Sequence, residues 1–446
     1  MKPERSVQRS TRLLAALALS VTAGVAACAP EGAEPALRVV LITLDTLRYD
    51  SFAGTGDRRT EMPRTRAWAG DAALFDRFYA ATSSTQPTHA TLFTGLHPWE
   101  HGVASNVSIL ADERVTLAEL LHDAGFGTYA VVASFPVHRR FGFAQGFDVY
   151  RDEFDLGKRG GGWGEAVDDS DAPLYSPAQS VTDTAIELLD AAGERRQFLW
   201  VHYFDPHEPY GDTGEGMTLG PWEVQAAARH GDPHAAVARA RELYDANVGF
   251  LDTHLERLLR RLAAEEDAFE THVVLTSDHG EAFGESGSVG HGKRLIPATV
   301  HVPTAIRSPL ASPGIRSDVA STVDLAPTLL ALAGVEASTP HGRVLVGGPA
   351  AAGEAVGMRR TFKKPRAETR LDGKNYKIAG LLFYRVDAQG RLVRGNSQQI
   401  VDPTPGEPTE ALRDRFRSFE ETLAATPPPE VSPKDREALR ALGYAR

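Results

Sequence analysis

Arg38-Val39-Val40-Leu41-Ile42-Thr43-Leu44 is an almost unbroken apolar run that stops at Asp45. A continuous run, rather than an alternating one, marks a strand buried on both faces, as in a parallel sheet covered by helices. The pattern returns twice. Phe198-Leu199-Trp200-Val201-His202-Tyr203-Phe204 leads into Asp205-Pro206-His207, and His272-Val273-Val274-Leu275-Thr276 leads into Ser277-Asp278-His279-Gly280. Each run ends in Asp or Asp-His, and in open parallel sheets chemistry gathers at the carboxyl ends of the strands.

Helical stretches separate these runs. Thr116-Leu117-Ala118-Glu119 is a capping box that opens a helix closed by Gly125, and a strand over Tyr129 to Ala133 follows. Ser180 to Ala192 and Leu243 to Leu262 are amphipathic; in the second, Leu251, Leu255, Leu258 and Leu262 share a face. Another helix starts near Asp324-Leu325 and ends near Gly334. This alternation predicts an α/β fold built on a doubly wound, mostly parallel sheet. Residues 151–178 and 211–235 read as surface insertions beside the site. The stretch 346–360 reads as a linker, and 361–446 as a smaller C-terminal α+β domain. Its expected short strands are Glu368 to Leu371, Tyr376 to Ala379, Leu382 to Asp387 and Arg391 to Arg394, with terminal helices over Glu407 to Ala424 and Pro433 to Leu442.

The 446 residues are 42% apolar and 24% charged, enough to bury a large core, and the formal net charge is −11. No Lys/Arg-rich run occurs beyond the N-terminus, which argues against a nucleic-acid partner. Lys2, Arg5, Arg9 and Arg12 precede a small apolar run from Leu13 to Val25, the pattern of a secretory signal and too short for a membrane span. Val25-Ala26-Ala27-Cys28 resembles a bacterial lipobox and carries the only cysteine of the chain. Cys28 is therefore the expected lipidation site, residues 29–35 the tether, and the periplasm or another extracytoplasmic surface the expected location. Cleavage before Cys28 removes four positive charges and one negative, moving the formal charge from −11 to −14.

The stretch Thr85-Gln86-Pro87-Thr88-His89, closed by Gly95, reads as a short helix with a hydroxyl at its N-terminus. Taken singly, Thr85 is a helix cap, Asp45 a strand-end cap and Asp278-His279 a turn. Together they supply two carboxylates, an imidazole and a hydroxyl, a donor set for zinc, manganese or calcium. Such an ion lowers the pKa of the hydroxyl and shares charge on the attacked group, which outweighs the ~0.3–1 kcal/mol a helix dipole offers.

Six motifs, in order, resemble the sulfatase family of the alkaline phosphatase superfamily. They are Leu44-Asp45-Thr46-Leu47-Arg48, Thr85 to His89, His101-Gly102-Val103, Asp205-Pro206-His207-Glu208-Pro209-Tyr210, Thr276 to Glu281, and Val323-Asp324-Leu325-Ala326-Pro327-Thr328. The resemblance covers residues 36–345 and implies an alkaline-phosphatase-like catalytic domain, with a four-stranded antiparallel sheet in the C-terminal part. It also implies that Asp45, Thr85, Asp278 and His279 hold the metal, that Thr85 is the nucleophile, and that His207 and His291 act on the substrate. Five departures stand out. Sulfatases carry a Cys or Ser, converted to formylglycine, where this chain has Thr85, and threonine cannot form that aldehyde. They have arginine where this chain has His89, usually aspartate at Thr46, and asparagine at His279. Their Gly-Lys-Trp-His segment falls near Val132 to Phe135, where neither lysine nor histidine occurs.

A threonine nucleophile with Asp, Asp and His is similar instead to phosphoethanolamine and lipoteichoic-acid transferases and to phosphodiesterases of the superfamily. Asn106 matches a substrate-contacting asparagine of the phosphonate monoester hydrolase branch, and His291 falls where that branch has a lysine. His89, Asn106 and Lys293 are thus the expected substrate-binding residues. One alternative gives Asp205, His207 and His291 to a second metal ion. His97, His101 and His202 read as structural, and Arg48 as either a surface ion pair or a substrate clamp. The expected protein is a metal-dependent hydrolase of a phosphate, phosphonate or sulfate ester on a small molecule, lipid or glycan. A phospho-group transferase and a non-catalytic binding protein are the competing classes.

Overall fold

The protein is described here by a computed structural model that covers residues 35–54, 60–154, 174–193, 195–211, 219, 224, 226, 232–285, 289–292, 294–348, 353, 355–363, 370–371, 374–375, 377–386, 392–396, 400–401 and 431–441. Cys28, Lys293, residues 29–34 of the tether and the segment Glu407 to Ala424 lie outside the described residues.

The strands of the large sheet are β1 (Ala36–Leu44), β2 (Ala73–Phe75), β3 (Gly127–Val132), β4 (Val149–Arg151), β5 (Gln197–Tyr203), β6 (Phe269–Ser277), β7 (Thr304–Arg307) and β8 (Gly314–Arg316). They form an eight-stranded sheet in the order β8-β2-β7-β6-β1-β5-β3-β4. Strand β1 is central and pairs in parallel with both β5 and β6. Only β7 runs against the rest, antiparallel to β6 and β2. From Arg38 onward β1 is buried, and β3 and β5 are buried at every position, which is why their sequences show no polar alternation.

The helices of seven or more described residues are α1 (Thr85–Thr94), α2 (Leu117–Asp123), α3 (Ala178–Ala192), α4 (Pro233–Ala263), α5 (Leu325–Leu332) and α6 (Pro433–Ala441). Thr116 accepts from the Glu119 amide while Glu119 reaches back to the Thr116 amide, the expected capping box. Helix α4 starts ten residues before the expected Leu243, at Pro233, capped by the Asp232 carboxylate on the His234 amide. The N-terminal turns of α4 are rich in alanine and lack the leucine stripe, so periodicity marks only the part that packs. Leu251, Leu255, Leu258 and Leu262 are buried as expected.

In the C-terminal part, β9 (Ala355–Lys363), β10 (Lys377–Val386), β11 (Leu392–Asn396) and β12 (Ile400–Val401) form a four-stranded antiparallel sheet in that order. Two readings are corrected here. The expected strands at 376–379 and 382–387 are one continuous strand, β10, whose pairing with β9 shifts register just beyond the Thr361–Gly380 pair and then resumes. The second half of the span read as a linker is strand β9. Its first residue, Ala355, packs with Val386 against Tyr79, Leu295, Val300 and Val319 of the larger part. Small residues there permit close packing, and from sequence alone they look like flexibility.

Candidate active site

Leu44 and Ser277, the last residues of β1 and β6, are paired across the sheet, so Asp45 and Asp278 emerge side by side. The ligand atoms of Asp45, Asp278 and His279 lie within 4.8 Å of one another, and all three residues are buried. Thr85 Oγ1, at the N-terminus of α1, is 3.3 Å from His279 Nε2 and 3.5 Å from Asp45 Oδ2. The strand ends fixed these positions through backbone register, and α1 delivers the hydroxyl.

The donor set fits a divalent cation. Asp45 Oδ1 and Asp278 Oδ2 are buried and have no hydrogen-bond partner among the described residues. Each such oxygen costs about 1–3 kcal/mol if nothing satisfies it. The other oxygen of Asp278 accepts the backbone amides of Thr46 (3.2 Å) and His279 (2.8 Å), which fixes the carboxylate. Thr46 reaches that position with a φ of 57°, a left-handed conformation that is strained for a β-branched residue. Burial first, then the proximity of Asp278, pushes the Asp45 carboxyl well above the usual range, and burial pushes Asp278 up to about 6. A cation would relieve both. His279 Nδ1 donates to the Gly280 carbonyl at 3.0 Å, leaving the Nε2 lone pair toward the carboxylates. Burial lowers its pKa to about 4, so the ring is neutral, as a ligand must be.

All ten residues of α1 are buried, although most are polar, so the helix is held by hydrogen bonds. His89 Nδ1 donates to the Thr85 carbonyl at 2.9 Å, and its Nε2 meets Thr43 Oγ1 at 3.3 Å. Both nitrogens are thus engaged within the protein, one of them on the backbone carbonyl of Thr85. Asn106 Oδ1 accepts the Gln86 amide at 2.8 Å, so it caps the first turn of α1 beside Thr85. That bond fixes which end of the Asn106 amide is oxygen, and the nitrogen has no partner among the described residues. Gln86 in turn bonds the Pro136 carbonyl and the Ser108 amide. Ser134 stands in the stretch where the sulfatase Gly-Lys-Trp-His segment would fall. It bonds His202 Nε2 at 3.1 Å, and His202 Nδ1 meets Thr43 at 3.1 Å, so His202 is structural, as read.

His207 and His291 face each other with ring centroids 4.8 Å apart, and His291 is 4.5 Å from the His279 ring. His207 Nδ1 donates to the Glu208 carbonyl at 2.7 Å, making Nε2 its acceptor nitrogen, and burial holds its pKa well below the ordinary value. His291 Nδ1 lies 3.2 Å from each oxygen of Glu281, a fully buried carboxylate that also accepts the Tyr210 hydroxyl at 2.9 Å. Glu281 was not singled out in the sequence; its place two residues after His279, in an otherwise apolar turn, was the available signal. Asp205 Oδ1 accepts the first amide of α3, at Ala178, so it serves as a helix cap. Asp205, His207 and His291 do not form a second cation-ready group among the described residues. Arg48 is neither on the surface nor free to clamp a substrate. It bonds Asp50 twice, Glu285 and the Glu281 carbonyl.

The family model for sulfatases matches residues 38–335, which include every strand end just described. The chain belongs to the sulfatase family. It is 25% identical over 316 residues to an uncharacterized sulfatase, YidJ, of Escherichia coli, covering 60% of this chain and 62% of that one. It is 23% identical over 365 residues to the choline-sulfatase of Rhizobium meliloti, covering 67% of each chain. Among solved structures, a phosphonate monoester hydrolase from Silicibacter pomeroyi superposes with a TM-score of 0.62 at 20% identity, covering 87% of this chain and 95% of that one. A structure of the phosphonate monoester hydrolase of Agrobacterium radiobacter gives 0.58, also at 20%. At these identities the structural likeness establishes the fold. Within the sulfatase family this chain stands apart at its centre: the residue on which the resemblance would place formylglycine is Thr85, and its backbone is held by a histidine.

Proposed function

We propose that this sulfatase-family protein is a metal-dependent ester hydrolase that uses Thr85 as its nucleophile, with phosphodiesters or phosphonate monoesters as preferred substrates. The observation that carries the reading is the position of Thr85 Oγ1, between Asp45 and His279 at the head of α1. A divalent cation held by Asp45, Asp278, His279 and Thr85 would lower the pKa of the threonine hydroxyl and share charge on the attacked group. Thr85 then forms an O–P bond as the ester oxygen leaves, and His291, backed by Glu281, gives that oxygen its proton. In the second step water attacks the phospho-threonine. His207 Nε2 accepts a proton from that water and passes it to His291, whose ring centroid is 4.8 Å away, while Thr85 leaves as the alkoxide that attacked, so both groups return to their starting state. Asn106 and Lys293 are proposed to bind the anion, Asn106 through its amide nitrogen.

The substrate preference rests on chemistry. An alkoxide can attack phosphorus and be released by water, whereas a sulfated threonine lacks the route by which an aldehyde hydrate expels sulfate. The named phosphonate monoester hydrolases among the structural neighbours agree with that preference. The choline-sulfatase and other sulfatase relatives favour a sulfate ester as the second reading. We further propose that Cys28 is lipidated and anchors the enzyme outside the cytoplasm; no helix among the described residues is long and apolar enough to cross a membrane. The deciding experiment compares an aryl phosphodiester, an aryl phosphonate monoester and an aryl sulfate with Mn²⁺- or Zn²⁺-loaded enzyme. Faster turnover of the sulfate would overturn the substrate assignment.

A further inference from the structure

Strand β1 carries a single hydroxyl, Thr43, fully buried and directly opposite His202 in the β1–β5 register. Alternate residues of a strand share a face, so Trp200 stands beside His202. His89 comes down on that face from α1, its ring centroid 5.5 Å from Trp200 and 5.0 Å from His202. The three side chains meet at Thr43 Oγ1, with Trp200 Nε1 at 2.9 Å, His202 Nδ1 at 3.1 Å and His89 Nε2 at 3.3 Å.

A threonine hydroxyl has one proton and two acceptor lone pairs, so three partners exhaust it and their roles can be solved. The indole N–H of Trp200 only donates, which takes one lone pair. His89 Nδ1 faces the Thr85 carbonyl at 2.9 Å, and a carbonyl only accepts, so the proton of His89 is on Nδ1. Both imidazoles are fully buried, and the carboxylate oxygens that approach them, on Asp278 and Asp45, stand 3.8 Å away, beyond hydrogen-bond reach. Burial therefore keeps both rings neutral. A neutral His89 has only a lone pair left at Nε2, and the proton of Thr43 goes there. His202 Nδ1 then donates into the second lone pair of Thr43, and its Nε2 accepts from Ser134 Oγ at 3.1 Å. One arrangement satisfies every group.

We infer that Thr43 is a positioning residue for the nucleophile: its single proton holds His89 in the Nδ1–H form, and that N–H holds the Thr85 carbonyl. The inference rests on the reading of Thr85 as the nucleophile. The opposite tautomer of His89 would set a nitrogen lone pair against the carbonyl oxygen and push the first turn of α1 away from Asp45 and His279.

The test combines ¹⁵N NMR of the histidine-labelled protein with turnover of an aryl phosphodiester. In wild type the His89 signals, assigned by their loss in His89→Asn, should report a neutral ring protonated on Nδ1. Thr43→Val removes the hydroxyl and keeps the shape, so that signature should be lost. Thr43→Val should also lower kcat at least about tenfold with little change in KM, while Thr43→Ser stays within about threefold of wild type. His89→Asn keeps an N–H near the Nδ1 position without needing Thr43, so in that background Thr43→Val should cost less than about threefold. A wild-type His89 protonated on Nε2 or on both nitrogens, or an equal cost of Thr43→Val in both backgrounds, would overturn the inference. If Thr43→Val does not fold, equal turnover by His89→Asn and His89→Leu would do the same. A wrong reading of Thr85 shows differently, as Thr85→Ala matching wild type; a wrong role for Thr43 shows as an inactive Thr85→Ala beside a fully active Thr43→Val.

Discussion

Thr85 Oγ1 lies 3.3 Å from His279 Nε2, although the two residues are separated by 194 positions. The hydroxyl and the imidazole lone pair converge on the same small volume as the Asp45 and Asp278 oxygens that have no partner among the described residues. Under the proposed function a cation bound there would turn this hydroxyl into the nucleophile. Thr85→Ala should therefore reduce kcat on the best phosphorus ester by at least about a thousandfold. Thr85→Ser, which keeps the oxygen, should retain measurable turnover. Equal rates for wild type and Thr85→Ala in a steady-state assay would remove Thr85 from the mechanism.

Metal and pH should be linked with a definite sign. In the metal-free fold the Asp278 carboxyl is pushed up to about 6 and Asp45 well above the ordinary 3.8. Between about pH 4 and 6 the folded state then holds more protons than the unfolded one, so metal-free stability falls as pH rises through that window. A cation replaces those protons. The rise in Tm on adding Mn²⁺ or Zn²⁺ should be larger at pH 7.5 than at pH 5, and Asp278→Asn should lower the bound metal. An increment independent of pH in differential scanning fluorimetry would contradict the ligand assignment.

Glu281 meets the His291 ring at Nδ1, so its proposed part in the reaction is to hold that ring rather than to touch the substrate. Glu281→Gln should lower kcat by about ten- to a hundredfold, with a smaller change in KM. The loss should shrink with a nitrophenyl leaving group, which needs no proton. A uniform loss across leaving groups would mark Glu281 as structural only.

The backbone at Gly280 tolerates no side chain. A Cβ there would lie 2.2 Å from the Ala298 carbonyl oxygen, next in sequence to the proposed metal ligand His279. Gly280→Ala should cost roughly 2–4 kcal/mol of stability and reduce metal retention, checked by chemical denaturation and elemental analysis.

Cys28→Ala should move the protein from the membrane fraction to the soluble extracytoplasmic fraction in a cell fractionation. An unchanged distribution would count against the lipid anchor.

The central sheet was legible because strands buried on both faces carry uninterrupted apolar runs, and β1, β5 and β6 are all of that kind. Asp45, Asp278 and His279 were legible because they follow directly on those runs. Glu281 and Thr43 were not, since nothing local distinguishes a buried carboxylate or strand hydroxyl from an ordinary one. The hydrogen bonds of His89 were not legible for a related reason. Four positions along α1 from Thr85, its ring folds back onto that residue's carbonyl, and only packing against Trp200 and His202 decides that it stays there.

The residue type at the nucleophile was settled by the sequence: threonine at position 85 excludes formylglycine by covalent chemistry, and no fold can change that. The α/β class and the strand ends that carry the acids followed from hydrophobic patterning, which is a local property. Which acids converge, which histidine faces Glu281, and that Arg48 is tied up between Asp50 and Glu285 were decided by tertiary structure. Those are pairings between distant segments, and their energies exist only once the sheet register has brought the segments within hydrogen-bond range and removed the water between them.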